Sequence, residues 1–77
     1  MSFDELQAVV AQTVGDDLTA QFFHHNPERP TLSIESSKAV CGESHEASEW
    51  RTMPPERVKA ICLAMLRDLR AWEKKHA

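Results

Sequence analysis

A chain of 77 residues with 42% hydrophobic and 27% charged content has room for one small domain, taken as residues 1–77, and is too apolar for wholesale disorder. Its net charge of −3 opposes non-specific binding to phosphate backbones, and its longest apolar run, Ala60 to Leu66, falls far short of the ~18–20 residues that cross a bilayer. With no leader pattern in MSFDELQ, the expectation is a cytoplasmic protein without membrane contact, in which Cys41 and Cys62 are free thiols.

Ser2-Phe3-Asp4-Glu5 reads as a capping box, in which the Ser hydroxyl and the Glu carboxylate satisfy backbone N–H groups reciprocally. Phe3, Leu6, Val9, Val10 and Val14 follow at helical spacing, and Gly15 suits a C-cap, so residues 3–14 are predicted to be an amphipathic helix. Residues 17–25 fit two descriptions. Leu18, Ala20 and Phe22 alternate as in a strand; equally, Asp16 or Asp17 could cap a short helix carrying Leu18 and Phe22. The strand is favoured because Asn26-Pro27-Glu28-Arg29-Pro30 looks like a reversal into a second extended run, Thr31 to Ser36. Lys38 to Cys41 would extend that run past a bulge, Gly42 to His45 is turn-like, and Glu46 to Met53 alternates as a third strand carrying Trp50. Pro54-Pro55 ends it and starts a helix over 55–75. The predicted class is α+β: helix, three-stranded antiparallel sheet, helix, with both helices on one face of the sheet.

In the last helix, Val58, Cys62, Met65, Leu69 and Trp72 step by 4, 3, 4 and 3, an a/d seam. Ile61 and Leu66 flank it, and Leu63 lies farther round, so the apolar arc spans roughly 200°, wider than the ~100° of a surface helix. Deep packing accounts for most of it; any remainder would serve a second chain, in a homodimer or a partner's groove. Lys59, Leu63, Arg67, Arg70 and Lys74 share a sector away from the seam, a basic stripe able to meet phosphates or an acidic protein. Charge is also split along the chain. Residues 1–50 hold two basic and nine acidic residues, and residues 51–77 hold seven basic and three acidic. The halves either neutralise each other within the fold or form surfaces of opposite sign.

His24 and His25 invite a metal reading, with His45, Cys41 and Cys62 as further ligands, but no ligand spacing organises them, and on a strand adjacent histidines point to opposite faces. The bland reading of Phe22 to Pro30 is a strand running into a loop, its phenylalanines in the core and its histidines at the rim. Cys41 with His45 would be a nucleophile and base across a turn, yet nothing marks an orienting group or oxyanion hole. There is no phosphate-binding glycine pattern, nucleophile elbow or cofactor motif, and a chain this small has little room for an enclosed catalytic pocket. These observations argue against an enzyme and against a cofactor.

The order helix, three strands, helix is similar to that of double-stranded-RNA-binding domains, as are the connection through Asn26-Pro27 and the Ala/Leu-rich last helix. That resemblance implies an RNA partner gripped by a lysine cluster opening the last helix. The corresponding stretch here, Pro54-Pro55-Glu56-Arg57-Val58-Lys59, lacks the cluster. The expectation is therefore a small non-enzymatic protein-interaction module: a regulator, adaptor or inhibitor, by analogy of size and charge with acidic inhibitors that phages encode. It would act through an acidic sheet and loop surface carrying Glu35, Glu43, Glu46 and Glu49, or through the C-terminal helix, with Trp50 and Trp72 as interface anchors. The alternative is a nucleic-acid-binding module that uses the basic stripe.

Overall fold

A computed structural model describes residues 1–76. Helix α1, Phe3–Val14, begins with the capping box: Glu5 N–H donates to the Ser2 hydroxyl at 3.2 Å, and Ser2 N–H donates to the Glu5 carboxylate at 3.0 Å. It ends at Gly15, whose φ of 85° is open to glycine at little cost, and Gly15 N–H donates back to the Ala11 carbonyl. Strands β1 (Thr19–Phe23), β2 (Thr31–Glu35) and β3 (Val40–Ser44) form an antiparallel sheet in the order β1-β2-β3. Ala20 pairs with Ile34 and Phe22 with Leu32 on one side; Ile34 pairs with Cys41 and Leu32 with Glu43 on the other.

The two reversals are set by side chains that imitate backbone. Asn26 Oδ1 accepts from Glu28 N–H at 3.1 Å, closing the first turn. The Ser36 hydroxyl accepts from the N–H groups of Lys38 and Ala39, closing the second. The strand over residues 17–25 is therefore present, as Thr19–Phe23, and the reversal at 26–30 is where the sequence puts it.

The third strand is not. The stretch expected to bulge and turn, 38–45, turns at Ser36–Ala39 and supplies β3, while Ala47–Thr52, inside the stretch expected as the third strand, is helix α2. Trp50 and Met53, three residues apart, are buried, and Ala47 one turn earlier is half-buried. That helical spacing prevails over the period-two alternation of the flanking polar residues because Trp50 and Met53 become core residues only in this way. Helix α3, Pro55–Lys75, starts on proline as predicted.

Both long helices cover the same face of the sheet, with α1 over β1, α3 over β3, and the two helices packed on each other. Leu32 and Ile34 point into this layer and are buried with Leu6, Val10, Trp50, Met53, Val58, Cys62, Met65 and Leu69. The other face, with Gln21, Phe23, Glu35, Val40 and Ser44, is open. The phenylalanines therefore separate: Phe22 packs inward against Trp50, and Phe23 lies on the open face, 37% exposed. Among the described residues no helix is long and apolar enough to cross a membrane.

Candidate functional site

The seam of α3 is buried at Val58, Cys62, Met65 and Leu69 but not at its last member: Trp72 is 46% exposed. One face of its indole is stacked by His76, with ring centres 4.1 Å apart and planes 15° from parallel. Trp72 borders an open groove of about 490 Å³ between the end of α3 and the β2–β3 hairpin, whose lining includes Lys38, Val40, Cys41, Asp68 and Leu69. Val40, 63% exposed at the start of β3, borders the groove at its strand edge, with its side chain alternating to the open face of the sheet. A large apolar side chain is thus left in water at the groove, at the end of a seam that is otherwise buried.

Trp50 is a different matter. As a member of α2 rather than of a strand it is fully buried, its indole N–H donates to the Pro30 carbonyl at 2.9 Å, and its ring meets Phe22 and His45 edge to face. It is a core residue, not an exposed anchor.

The four glutamates expected on an acidic surface fall into two groups. Glu35 ends β2 on the open face. Glu43 alternates to the helix-covered side of β3, Glu46 is the N-cap of α2, and Glu49 lies one turn into α2. Glu43 and Glu49 converge on His45, whose Nε2 is 2.6 Å from Glu43 Oε2 and whose Nδ1 is 3.4 Å from Glu49 Oε1. The acidic patch at the far end of β3 therefore consists of Glu43 and Glu49, with Glu46 beside them in sequence, and Glu35 is not part of it.

Lys59, Leu63, Arg67, Arg70 and Lys74 are all exposed, Leu63 by 58%. Two members of the stripe are occupied by neighbouring carboxylates: Arg67 is 3.5 Å from Asp68, and Arg70 is 3.0 Å from Glu73. Among the described residues a single lysine or arginine ion pair, Arg57 with Glu49, joins the acidic and basic halves of the chain. The charge split is accordingly carried to the surface rather than cancelled by contact.

The histidines and cysteines are dispersed. His24 packs edge-on against Phe3, while His25 stacks on Phe23 at the open face. Cys62 is enclosed by the core, and burial, then the Glu43 charge, pushes its thiol up to about 11. Cys41, half-buried, is raised by burial and by the charges of Asp68 and Glu43, the reverse of what a nucleophilic thiolate needs. Both ring nitrogens of His45 face carboxylates rather than Cys41. No group of three or more potential metal ligands is assembled among the described residues.

Val40 and Lys38, which line the groove with Trp72, were expected only as an extension of the second strand past a bulge. The signal for them was the Ser36-Ser37 turn, which makes 40–44 an edge strand. Comparison of the chain with protein-family models, with curated proteins and with solved structures gave no match.

Proposed function

We propose that this chain is a non-enzymatic protein-interaction module, a regulator, adaptor or inhibitor, that docks another protein on the surface formed by β3 and the C-terminal end of α3. The observation that carries this reading is the exposure of Trp72 at a groove it lines with Cys41 and Leu69, beside an edge strand that opens on exposed Val40. Exposed apolar residues gathered beside a concavity are the usual mark of a contact surface, and tryptophan is the residue most enriched among those that dominate binding energy. The acidic group around His45 lies at the other end of the same strand and supplies polar selectivity at the rim.

The second reading, nucleic-acid binding through Lys59, Arg67, Arg70 and Lys74, draws on their exposure. It is the weaker one, because Asp68 and Glu73 offset the two arginines and the chain is acidic overall. Affinity capture from host lysate, with and without nuclease, separates them. A protein partner retained after nuclease treatment is expected. Captured material that disappears on digestion, with binding that weakens steeply as salt rises, would instead favour the basic stripe.

A further inference from the structure

The two edges of the sheet differ. On β1 the backbone groups that face away from β2 include the Ala20 carbonyl, and it is occupied: Gln7 of α1 donates its side-chain N–H to it at 2.8 Å. Helix α1 thus partly covers that edge with hydrogen bonding as well as bulk. On β3 the hydrogen-bonded pairs with β2 can be followed from both ends. His45 N–H donates to the Pro30 carbonyl, and Ser36 N–H donates to the Ala39 carbonyl. Hydrogen-bonded pairs alternate in an antiparallel ladder, so Leu32 with Glu43 and Ile34 with Cys41 are of the same kind. The N–H and C=O groups of Val40, Gly42 and Ser44 then face away from β2, and among the described residues no side chain or loop bonds to them. No proline, bulge or lysine within Val40–Ser44 blunts this edge; its one charge, Glu43, turns to the helix-covered side.

A strand added along this edge alternates its side chains as β3 does. Residues opposite Cys41 and Glu43 point to the helix-covered side. The position opposite Cys41 opens into the groove beside Leu69 and Trp72. The position opposite Glu43 faces a carboxylate that is 37% exposed, with Glu49 close by across His45. The edge therefore prescribes an apolar side chain and, two residues along, a basic one.

We infer that β3 accepts an extended segment of a partner protein as a fourth strand, an apolar side chain of that segment filling the groove beside Trp72 and a lysine or arginine two residues away meeting Glu43. This rests on the β3–α3 groove being the docking surface and adds what it takes and in what conformation. A second copy of this chain paired antiparallel about Gly42 is the poorer occupant: that register sets its Glu43 opposite Cys41, a carboxylate where the groove offers apolar walls.

The test is selection of seven-residue peptides from a random displayed library against the full chain, followed by amide hydrogen exchange on the complexes. The expected binders carry an apolar residue and a lysine or arginine two positions apart, lose binding to Trp72→Ser, and protect the amides of Val40, Gly42 and Ser44. Val40→Pro, which removes one outward N–H at the first, exposed position of β3, should weaken them about tenfold. Glu43→Lys should reject them and accept peptides with the basic residue changed to glutamate. Binders that need Trp72 but ignore both variants and leave the three amides unprotected would overturn the fourth strand while leaving the docking surface intact. Binders indifferent to Trp72→Ser, or no binders, would overturn both. A dimer of the free chain that dissociates on Val40→Pro would give the edge to a second copy and overturn the inference.

Discussion

Replacing Trp50 by phenylalanine tests whether this side chain is the joint between the hairpin and α2. The substitution removes the indole N–H that donates to the buried Pro30 carbonyl at 2.9 Å. It leaves that oxygen only the longer bond from His45 N–H, at 3.4 Å. A buried acceptor deprived of its main donor costs about 1–3 kcal/mol, and the smaller ring loosens the edge contacts with Phe22 and His45, so a loss of about 2 kcal/mol is expected. A chain of this length has roughly 4–11 kcal/mol of stability in all, so the change is large. Thermal unfolding followed by far-UV circular dichroism should show a midpoint lower by about 8–16 °C, and the urea midpoint should fall by about 1–2 M. Trp50→Ala, at about 3–5 kcal/mol, approaches the whole stability of the fold. A Trp50→Phe loss below about 0.5 kcal/mol, the range of ordinary surface substitutions, would refute the assignment of Trp50 as a hydrogen-bonded core residue.

Three further outcomes follow from the same contacts. Ser2→Ala removes the acceptor of the Glu5 N–H and should cost about 1 kcal/mol in urea unfolding; an unchanged midpoint would mean that the capping box contributes nothing. Cys62 stays protonated in the fold to about 11 against an ordinary value of 9.0, so between these values the unfolded chain releases a proton that the native one keeps. Stability from this thiol is complete below pH 9 and is lost as pH rises toward 11, by about 2–3 kcal/mol; the fall measured for the wild type should shrink by that amount in Cys62→Ala, and equal falls would contradict the burial argument. Glu73 is held below the usual carboxylate range first by the Ser36 hydroxyl, 3.0 Å away, and then by Arg70. Ser36→Ala should therefore raise its titration midpoint in an NMR pH series, and an unmoved midpoint would remove Ser36 as the cause.

What the sequence disclosed was what neighbouring residues decide among themselves. The capping box at Ser2, the glycine stop at Gly15, the asparagine turn at 26 and the proline start at 55 each act within a few residues, and all four are found where the pattern puts them. Residues 46–53 misled because polar residues alternate there, while the decisive contacts, Trp50 to Pro30 and Met53 to the core, are made with distant parts of the chain. A strand over 46–53 would put Trp50 on the sheet and Glu46 and Glu49 on a flat acidic face; helix α2 puts Trp50 in the core instead. The bare edge of β3 was hidden for a related reason. Nothing in residues 40–44 tells that Gln7 bonds to a carbonyl of the opposite edge and that no side chain bonds to this one. Trp72 read as the last step of a buried seam because the pattern cannot show that the sheet beneath α3 gives way to a groove.

We propose that a partner docks in the groove between β3 and α3. The most direct test is the affinity of a partner captured in the presence of nuclease for the wild-type chain and for Trp72→Ser, with circular dichroism confirming that the variant is folded. Binding is expected to weaken about thirtyfold or more, the loss of about 2 kcal/mol that marks a dominant interface residue. A partner that binds the folded variant as tightly as the wild type would contradict it.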